Sequence, residues 1–469
     1  MRSPTGVRPV AVAVHGDEGT GTSVVAGDHW IDVPLDHADP AAGSLRVCAR
    51  EVRAAERVDE DQPYLLYLQG GPGNRAPRPG ADAPAWLYHV LRTHRVLLLD
   101  QRGTGRSTPQ DRRTLAGLPP ARAAERLTHF RADSIVRDAE VLRRRLLGDV
   151  PWTVLGQSFG GFCAWTYLCL APQGLDRVMV TGGIPPIGAH PDDVYRATHR
   201  ALARRVADLD RARPGAREEL ARIARHLERV DERLPGGERL APARLQEIGR
   251  VLGGAAGIDR IGELVEDAWA LPGERLSDTF LDGVRSIVGY GGQPLYALLH
   301  EAAYAEAGVR TGWSARRVRD EFWTGTTSTE GPDGAERLEL TGEMVYPHDL
   351  TADPALEPLA EVGELLAERV WSEPLYDRDA LAVNRVPVAA CVYAQDMYVD
   401  PELSLRTARL TGAVRVVRDD VHHHDGLRRD GAGVLGRLEA ALEGEPTVEE
   451  RQTSERTRGP APRPGAVIR

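Results

Sequence analysis

The stretch V-P-W-T-V-L-G-Q-S-F-G-G-F, from Val150 to Phe162, decides how the rest of the chain is read. Trp152 to Leu155 is apolar and β-prone, whereas Phe159 to Leu170 is an apolar run of helical length that stops before Pro172. Ser158 stands at the break, inside G-x-S-x-G. A strand that turns sharply into a helix forces the serine into a strained backbone conformation, and only small residues fit on either side. Gly156 and Gly160 occupy those positions. The same letters also occur in ordinary glycine-rich turns, but the buried strand before them and the buried helix after them favour a nucleophile elbow.

Outward from the elbow, strands and helices alternate. W-I-D-V-P-L and S-L-R-V-C-A-R-E-V, separated by D-H-A-D-P-A-A-G, read as an antiparallel pair at a sheet edge. P-Y-L-L-Y-L-Q-G-G-P-G and R-V-L-L-L-D-Q-R-G-T-G-R-S are buried strands, each ending in a glycine-rich loop. Ser134 to Leu147 spaces Ile135, Val136, Ala139, Leu142 and Leu146 as an amphipathic helix, and R-V-M-V-T-G-G at 177–183 is another strand. Continuous apolar strands between helices imply a mostly parallel sheet covered on both faces. The rhythm stops for a long Arg-, Glu-, Ala- and Leu-rich stretch and resumes at V-P-V-A-A-C-V-Y-A-Q-D, 386–396. The expected organisation is a flexible N-terminus over 1–25 and an α/β core over 26–184. A helical lid is inserted over 185–380, the core is completed over 381–443, and a disordered tail follows over 444–469.

Composition narrows the classes. With 469 residues, 42% hydrophobic and 27% charged, the chain reads as a globular protein of two or three domains, or of one domain carrying a large insertion. A net charge of −10 without a clustered basic face argues against a nucleic-acid partner. All 59 basic residues are arginine, which excludes Schiff-base chemistry and a P-loop, since both need a lysine amine. No apolar run approaches the roughly eighteen residues of a membrane span, and no signal-peptide pattern opens the chain, so the expected location is cytoplasmic. Cys48, Cys163, Cys169 and Cys391 lack metal-ligand spacing and sit in apolar segments.

A serine hydroxyl needs a base, and the base needs an acid to orient it. In the α/β-hydrolase fold these follow in the order Ser, Asp or Glu, His. Asp396 ends a late apolar strand, whereas Asp400, beside Pro401, suits a helix cap. The base falls in V-H-H-H-D-G-L-R, among His422, His423 and His424, and spacing alone does not choose between them. Adjacent histidines diverge too far to form a metal site without a second ligand cluster, so neither metal nor cofactor is expected. The oxyanion calls for two backbone N–H groups, assigned to Phe159, directly after the nucleophile, and Gly71, in the Gly70–Gly73 loop.

Together Y-L-Q-G-G-P-G, V-L-L-L-D-Q-R-G-T-G-R-S-T-P, G-Q-S-F-G-G-F, T-G-G-I-P-P, D-M-Y-V-D and H-D-G-L-R resemble the prolyl aminopeptidase (proline iminopeptidase) family of serine-dependent α/β-hydrolases. The resemblance runs from about residue 29 to 440, with Gln69 where family members more often carry histidine. It implies Asp396 as the acid and His424 as the base, places Cys163 behind the elbow as a source of thiol sensitivity, and implies release of an N-terminal residue, typically proline. A free-amine substrate calls for a carboxylate to meet its ammonium, and the lid acids set among apolar neighbours are Glu301 and Glu343. Tyr304, Trp313 and Tyr346 are candidate pocket walls. The expected substrate is a small peptide or aminoacyl amide. The competing reading on the same scaffold is an esterase or amidase, because a triad does not distinguish esters from amides. The pattern leaves oligomeric state open.

Overall fold

The computed structural model describes residues 23–80, 83–323, 328–330 and 333–444. The tail beyond Gly444 and nearly all of the expected flexible N-terminus lie outside the described residues. The first strand, however, already begins at Val24, inside the stretch read as loose.

One eight-stranded sheet organises the molecule. Its strands are β1 (Val24–Pro34), β2 (Ser44–Ala54), β3 (Tyr64–Leu68), β4 (Arg95–Asp100), β5 (Trp152–Gln157), β6 (Leu175–Thr181), β7 (Val388–Tyr393) and β8 (Val414–Asp419). They lie in the order β1-β2-β4-β3-β5-β6-β7-β8. β1 pairs antiparallel with β2 and β2 antiparallel with β4, while every later pairing is parallel. The family-like mostly parallel sheet expected from sequence is therefore present, with the antiparallel pair at its edge.

The unbroken apolar strands are explained by two buried faces. Leu66, Leu68, Leu97 and Leu99 pack on the side of helices Ala132–Leu147 and Phe159–Leu170. Their alternates Leu65, Tyr67, Val96 and Leu98 pack on the other side, against helices Ala85–Val90 and Gly431–Leu442. A period of two along each strand sends successive side chains to opposite faces, so both sets must be apolar.

The long segment between β6 and β7 is helical from Pro191 onward, as its composition suggested, but it also holds two small antiparallel ribbons. Most of its buried apolar residues divide between two cores, and Tyr195, Ala315, Val318, Met344 and Tyr346 form a small third one. Those from Ala201 to Val288 form a cluster with Leu338, Leu340 and Met397. Apolar residues from Tyr290 to Ala305, with Val345 and those from Leu350 to Leu381, pack instead into the cluster that contains the Phe159–Leu170 helix. Part of the insertion thus leans directly on the element that begins at Ser158.

The Phe159–Leu170 helix approaches β3 too closely for any side chain at its second position. A Cβ at Gly160 would stand 1.9 Å from the Leu68 carbonyl oxygen. Gly160→Ala is therefore expected to lower unfolding stability by about 3 kcal/mol or to prevent folding. Gly436→Ala, in a helix with nothing within 4 Å of the added carbon, is expected to raise stability by about 0.5 kcal/mol. Urea unfolding of the two variants beside the parent checks both signs.

Candidate active site

Ser158 sits between β5 and the Phe159–Leu170 helix with φ 55° and ψ −125°. A β-carbon-bearing residue occupies that region only when its surroundings hold it there. Here they do: the Ser158 N–H donates to the Thr181 carbonyl at 3.0 Å and the Gly161 N–H donates to the Ser158 carbonyl at 2.7 Å. A Cβ at Gly183 would come within 2.4 Å of that same carbonyl oxygen. The serine is thereby presented at the carboxyl ends of the parallel strands, with the Phe159 N–H opening the helix behind it.

The Gly70–Gly73 loop lies directly against the serine, since a Cβ at Gly70 would stand 2.9 Å from the Ser158 Cβ. Gly71 has φ +143°, and a side chain there would press on the N–H groups of Gly73 and Asn74 at 2.9 and 3.1 Å. The D-Q-R motif braces this loop. The Gln101 side-chain amide donates to the Gln69 carbonyl at 2.9 Å, and Asp100 accepts from the Ala76 N–H at 3.1 Å. Asp100 is itself held by Arg78, at 3.0 Å to Oδ1.

Asp396 and His424 meet. Asp396 Oδ1 accepts from the N–H groups of Tyr398 and Val399 at 2.8 and 3.0 Å, which fixes the carboxylate just past β7. Its Oδ2 accepts from His424 Nδ1 at 2.8 Å. The opposite edge of the ring, Nε2, lies 3.4 Å from the side-chain amide nitrogen, Nε2, of Gln157, the residue before Ser158. Burial favours the neutral imidazole, but Asp396, with help from Glu343 and Asp425, outweighs it, so the His424 pKa is raised above its ordinary 6.5. The other two histidines part from the site. His422 is bound through Nδ1 to Asp419 at 2.8 Å, and burial lowers the pKa of His423. Asp400 caps the helix Pro401–Leu410 by accepting from the Leu403 N–H at 2.9 Å.

The two glutamate candidates differ in what already holds them. Glu301 is buried with its two oxygens taking the N–H groups of Ser314 and Ala315 at 3.1 and 2.9 Å, at the start of helix Ser314–Phe322. Burial is the main influence on its pKa, which is raised. Glu343 accepts from the Tyr296 hydroxyl at 2.6 Å and lies 3.9 Å from His300 Nε2. Burial pushes its pKa up, yet His300, His424 and the Tyr296 hydroxyl more than offset this and hold it below 4.5. Tyr304 lies within the electrostatic reach of Glu343, Asp396 and Glu301, so it borders the site. Trp313 instead donates to Glu364 at 3.0 Å, and Tyr346 is enclosed in a small core cluster.

Reading from sequence missed Tyr398, whose ring stands edge-on to His424 at 4.9 Å, and the Tyr296–Glu343 contact. Tyr398 lay in view inside D-M-Y-V-D, but nothing in the letters marks Tyr296. Cys163 is fully enclosed and burial raises its thiol pKa, which removes the exposure and the thiolate that alkylation requires. Glu247 and Asp349 lie close to His348, but the Arg244 guanidinium bridges the two carboxylates and already supplies their countercharge.

An α/β hydrolase fold family model matches residues 63–233. A proline iminopeptidase of Aeromonas sobria is 45% identical over 87% of this chain and 95% of its own length. The chain belongs to the proline iminopeptidase family. A second relative, the proline iminopeptidase aneH of Aspergillus aculeatus, is 33% identical over 88% of this chain and 92% of its own. Membership agrees with the order of motifs along the chain, from the Gly70–Gly73 loop to His424.

The raised His424 pKa fixes the direction of the pH response. A base must be neutral to accept a proton, so activity is expected to rise with pH along an acid limb centred above 6.5. Asp396→Asn removes the main upward influence, so the limb should move to lower pH while kcat falls by about 10³- to 10⁴-fold. His422→Ala should leave the limb in place. A kcat/KM profile across pH for the three proteins checks this.

Proposed function

We propose that this chain is a serine aminopeptidase that releases an N-terminal residue, preferentially proline, from small peptides or aminoacyl amides. The observation that carries the reading is Glu343: a carboxylate held ionised beside His424, with one oxygen on Tyr296 and capacity to accept further hydrogen bonds. A substrate ammonium is the complement of such a group. Glu301 is the weaker receptor because both its oxygens are engaged by a helix N-terminus.

In this mechanism His424 takes the Ser158 hydroxyl proton as Oγ attacks the carbonyl carbon of the N-terminal residue. The N–H groups of Gly71 and Phe159 receive the oxyanion, and Asp396 stabilises the imidazolium through Nδ1. Collapse of the tetrahedral intermediate breaks the C–N bond, and His424 returns the proton to the departing amine. Water, deprotonated by His424, then attacks the acyl-Ser158 ester and frees the amino acid. The helical segment between β6 and β7 acts as the lid over this chemistry and supplies Glu343. The four unpaired cysteines suit a reducing compartment such as the cytoplasm.

Aminoacyl-naphthylamides separate this reading from an esterase. Proline naphthylamide should be cleaved, N-acetylproline naphthylamide should not, and Ser158→Ala should abolish cleavage. Glu343→Gln should raise KM for proline naphthylamide by about 10- to 100-fold, the worth of one charged hydrogen-bonded pair. Rapid turnover of p-nitrophenyl acetate with no arylamide cleavage, unaffected by Glu343→Gln, would establish the esterase instead.

A further inference from the structure

A buried guanidinium is costly unless an acid or a carbonyl meets it. The deep arginines of this chain satisfy that rule. Arg102 pairs with Asp138, Arg143 with Glu140, and Arg244 with Glu238, Glu247 and Asp349. Arg131, which has no carboxylate, donates to the Ala305 carbonyl and lies over the Trp371 ring.

Arg250 is different. It sits on the short 3₁₀ segment Glu247–Gly253, partly buried, with its guanidinium carbon 4.5 Å from the centre of the Tyr290 ring. Among the described residues no carboxylate forms an ion pair with it and its guanidinium donates no hydrogen bond. The ring beneath supports the flat face of the cation and leaves its N–H edges free for a ligand.

The guanidinium opens into a cavity of about 250 Å³ whose wall also includes Tyr290, Tyr296, Tyr398 and Glu343. One cavity therefore holds the ionised acid beside His424 and a cation with no direct ion pair. Its size lies below the roughly 300 Å³ at which pockets for larger ligands begin, which suits a short occupant. The spacing between the two charges is held by aromatic residues. Tyr290 stacks on Tyr296 with ring centres 5.5 Å apart, and Tyr296 bonds Glu343. The Tyr398 hydroxyl donates to the Arg250 carbonyl at 2.6 Å while its ring faces His424. At the exposed mouth Arg260 donates to Ser286 at 2.7 Å and adds a second positive group.

We infer that Arg250 receives the C-terminal carboxylate of the substrate, which makes short peptides with a free C-terminus the preferred substrate class. This rests on the aminopeptidase reading: Glu343 meets the ammonium at one end, Ser158 attacks the first carbonyl, and the leaving residue carries its carboxylate toward Arg250. A planar guanidinium binds a carboxylate through paired N–H donors, which a neutral amide cannot reproduce.

The test compares Pro-Gly with Pro-Gly-amide, which differ only in the C-terminal charge. The parent should favour the acid in kcat/KM by about 10- to 100-fold. Arg250→Met should bring the ratio close to one, and Arg250→Lys should retain part of it, with the change chiefly in KM. A ratio does not depend on how much of a variant is folded, and the parent measurement needs no variant. Equal hydrolysis of acid and amide by the parent, or an unchanged ratio in Arg250→Met, overturns the assignment. Proline naphthylamide, which has no carboxylate, serves as the reference. If the parent cleaves it without discriminating acid from amide, only the role of Arg250 fails. If the parent cleaves neither it nor Pro-Gly, the aminopeptidase reading fails and takes the assignment with it.

Discussion

The positive φ of Ser158 is the constraint on which the other placements depend. A serine held there costs about 1–3 kcal/mol, so the chain around it has to leave it no alternative. Three glycines remove the room to relax. Gly156 would collide with the Gly160 carbonyl at 2.5 Å, Gly160 with Leu68 at 1.9 Å, and Gly183 with Ser158 itself at 2.4 Å if any carried a side chain. Each contact is between backbones, so the helix, β3 and the loop after β6 meet at van der Waals distance around one residue. That closeness also brings the Gly70–Gly73 loop and Asp396 to the same end of the sheet. A Cβ at Gly182 would already lie 3.1 Å from the Asp396 carboxylate.

Electrostatics then divides the acids that surround His424. Asp396 is tied by two backbone N–H groups and faces Nδ1, so its charge orients the ring. Glu343 also raises the His424 pKa, yet it is anchored to Tyr296 from the insertion and not to the core. Carboxylates gathered near one imidazole, here Asp396, Glu343 and Asp425, would drive it towards permanent protonation in a dry site. Burial of His424 opposes them and is its largest single influence. In the proposed reading an arriving ammonium neutralises Glu343 and relieves part of that upward pull, which would link binding of the substrate to readiness of the base.

The elbow and the sheet were legible because their letters carry geometry. Small residues at fixed offsets from Ser158, apolar runs of strand length and the order Ser158, Asp396, His424 each follow from local rules. The choice among His422, His423 and His424 was not legible from spacing. It turns on which ring reaches Asp396, a contact across 28 positions. Glu301 and Glu343 looked alike for a similar reason: both are acids among apolar neighbours. What separates them is that helix Ser314–Phe322 begins where it can claim both oxygens of Glu301. Arg250 was hidden by abundance. In a chain whose basic residues are all arginine, nothing in the letters separates a guanidinium stacked on a ring from one paired with an acid.

The division of labour between core and insertion follows from where each group is anchored. Ser158, Asp396, His424 and the Gly70–Gly73 loop all sit at the carboxyl ends of parallel strands, where the sheet fixes their relative positions within one rigid layer. Arg250, Tyr296 and Glu343 come from the segment between β6 and β7, whose residues pack partly in their own cluster and partly on the Phe159–Leu170 helix. Any displacement of that segment relative to the sheet would move the charged ends of the cavity against a stationary nucleophile. In the proposed reading, a bond-breaking apparatus that tolerates errors of only about 0.5 Å is carried by the hydrogen-bonded sheet. Recognition of substrate charge, which acts over longer distances, falls in that reading to the insertion.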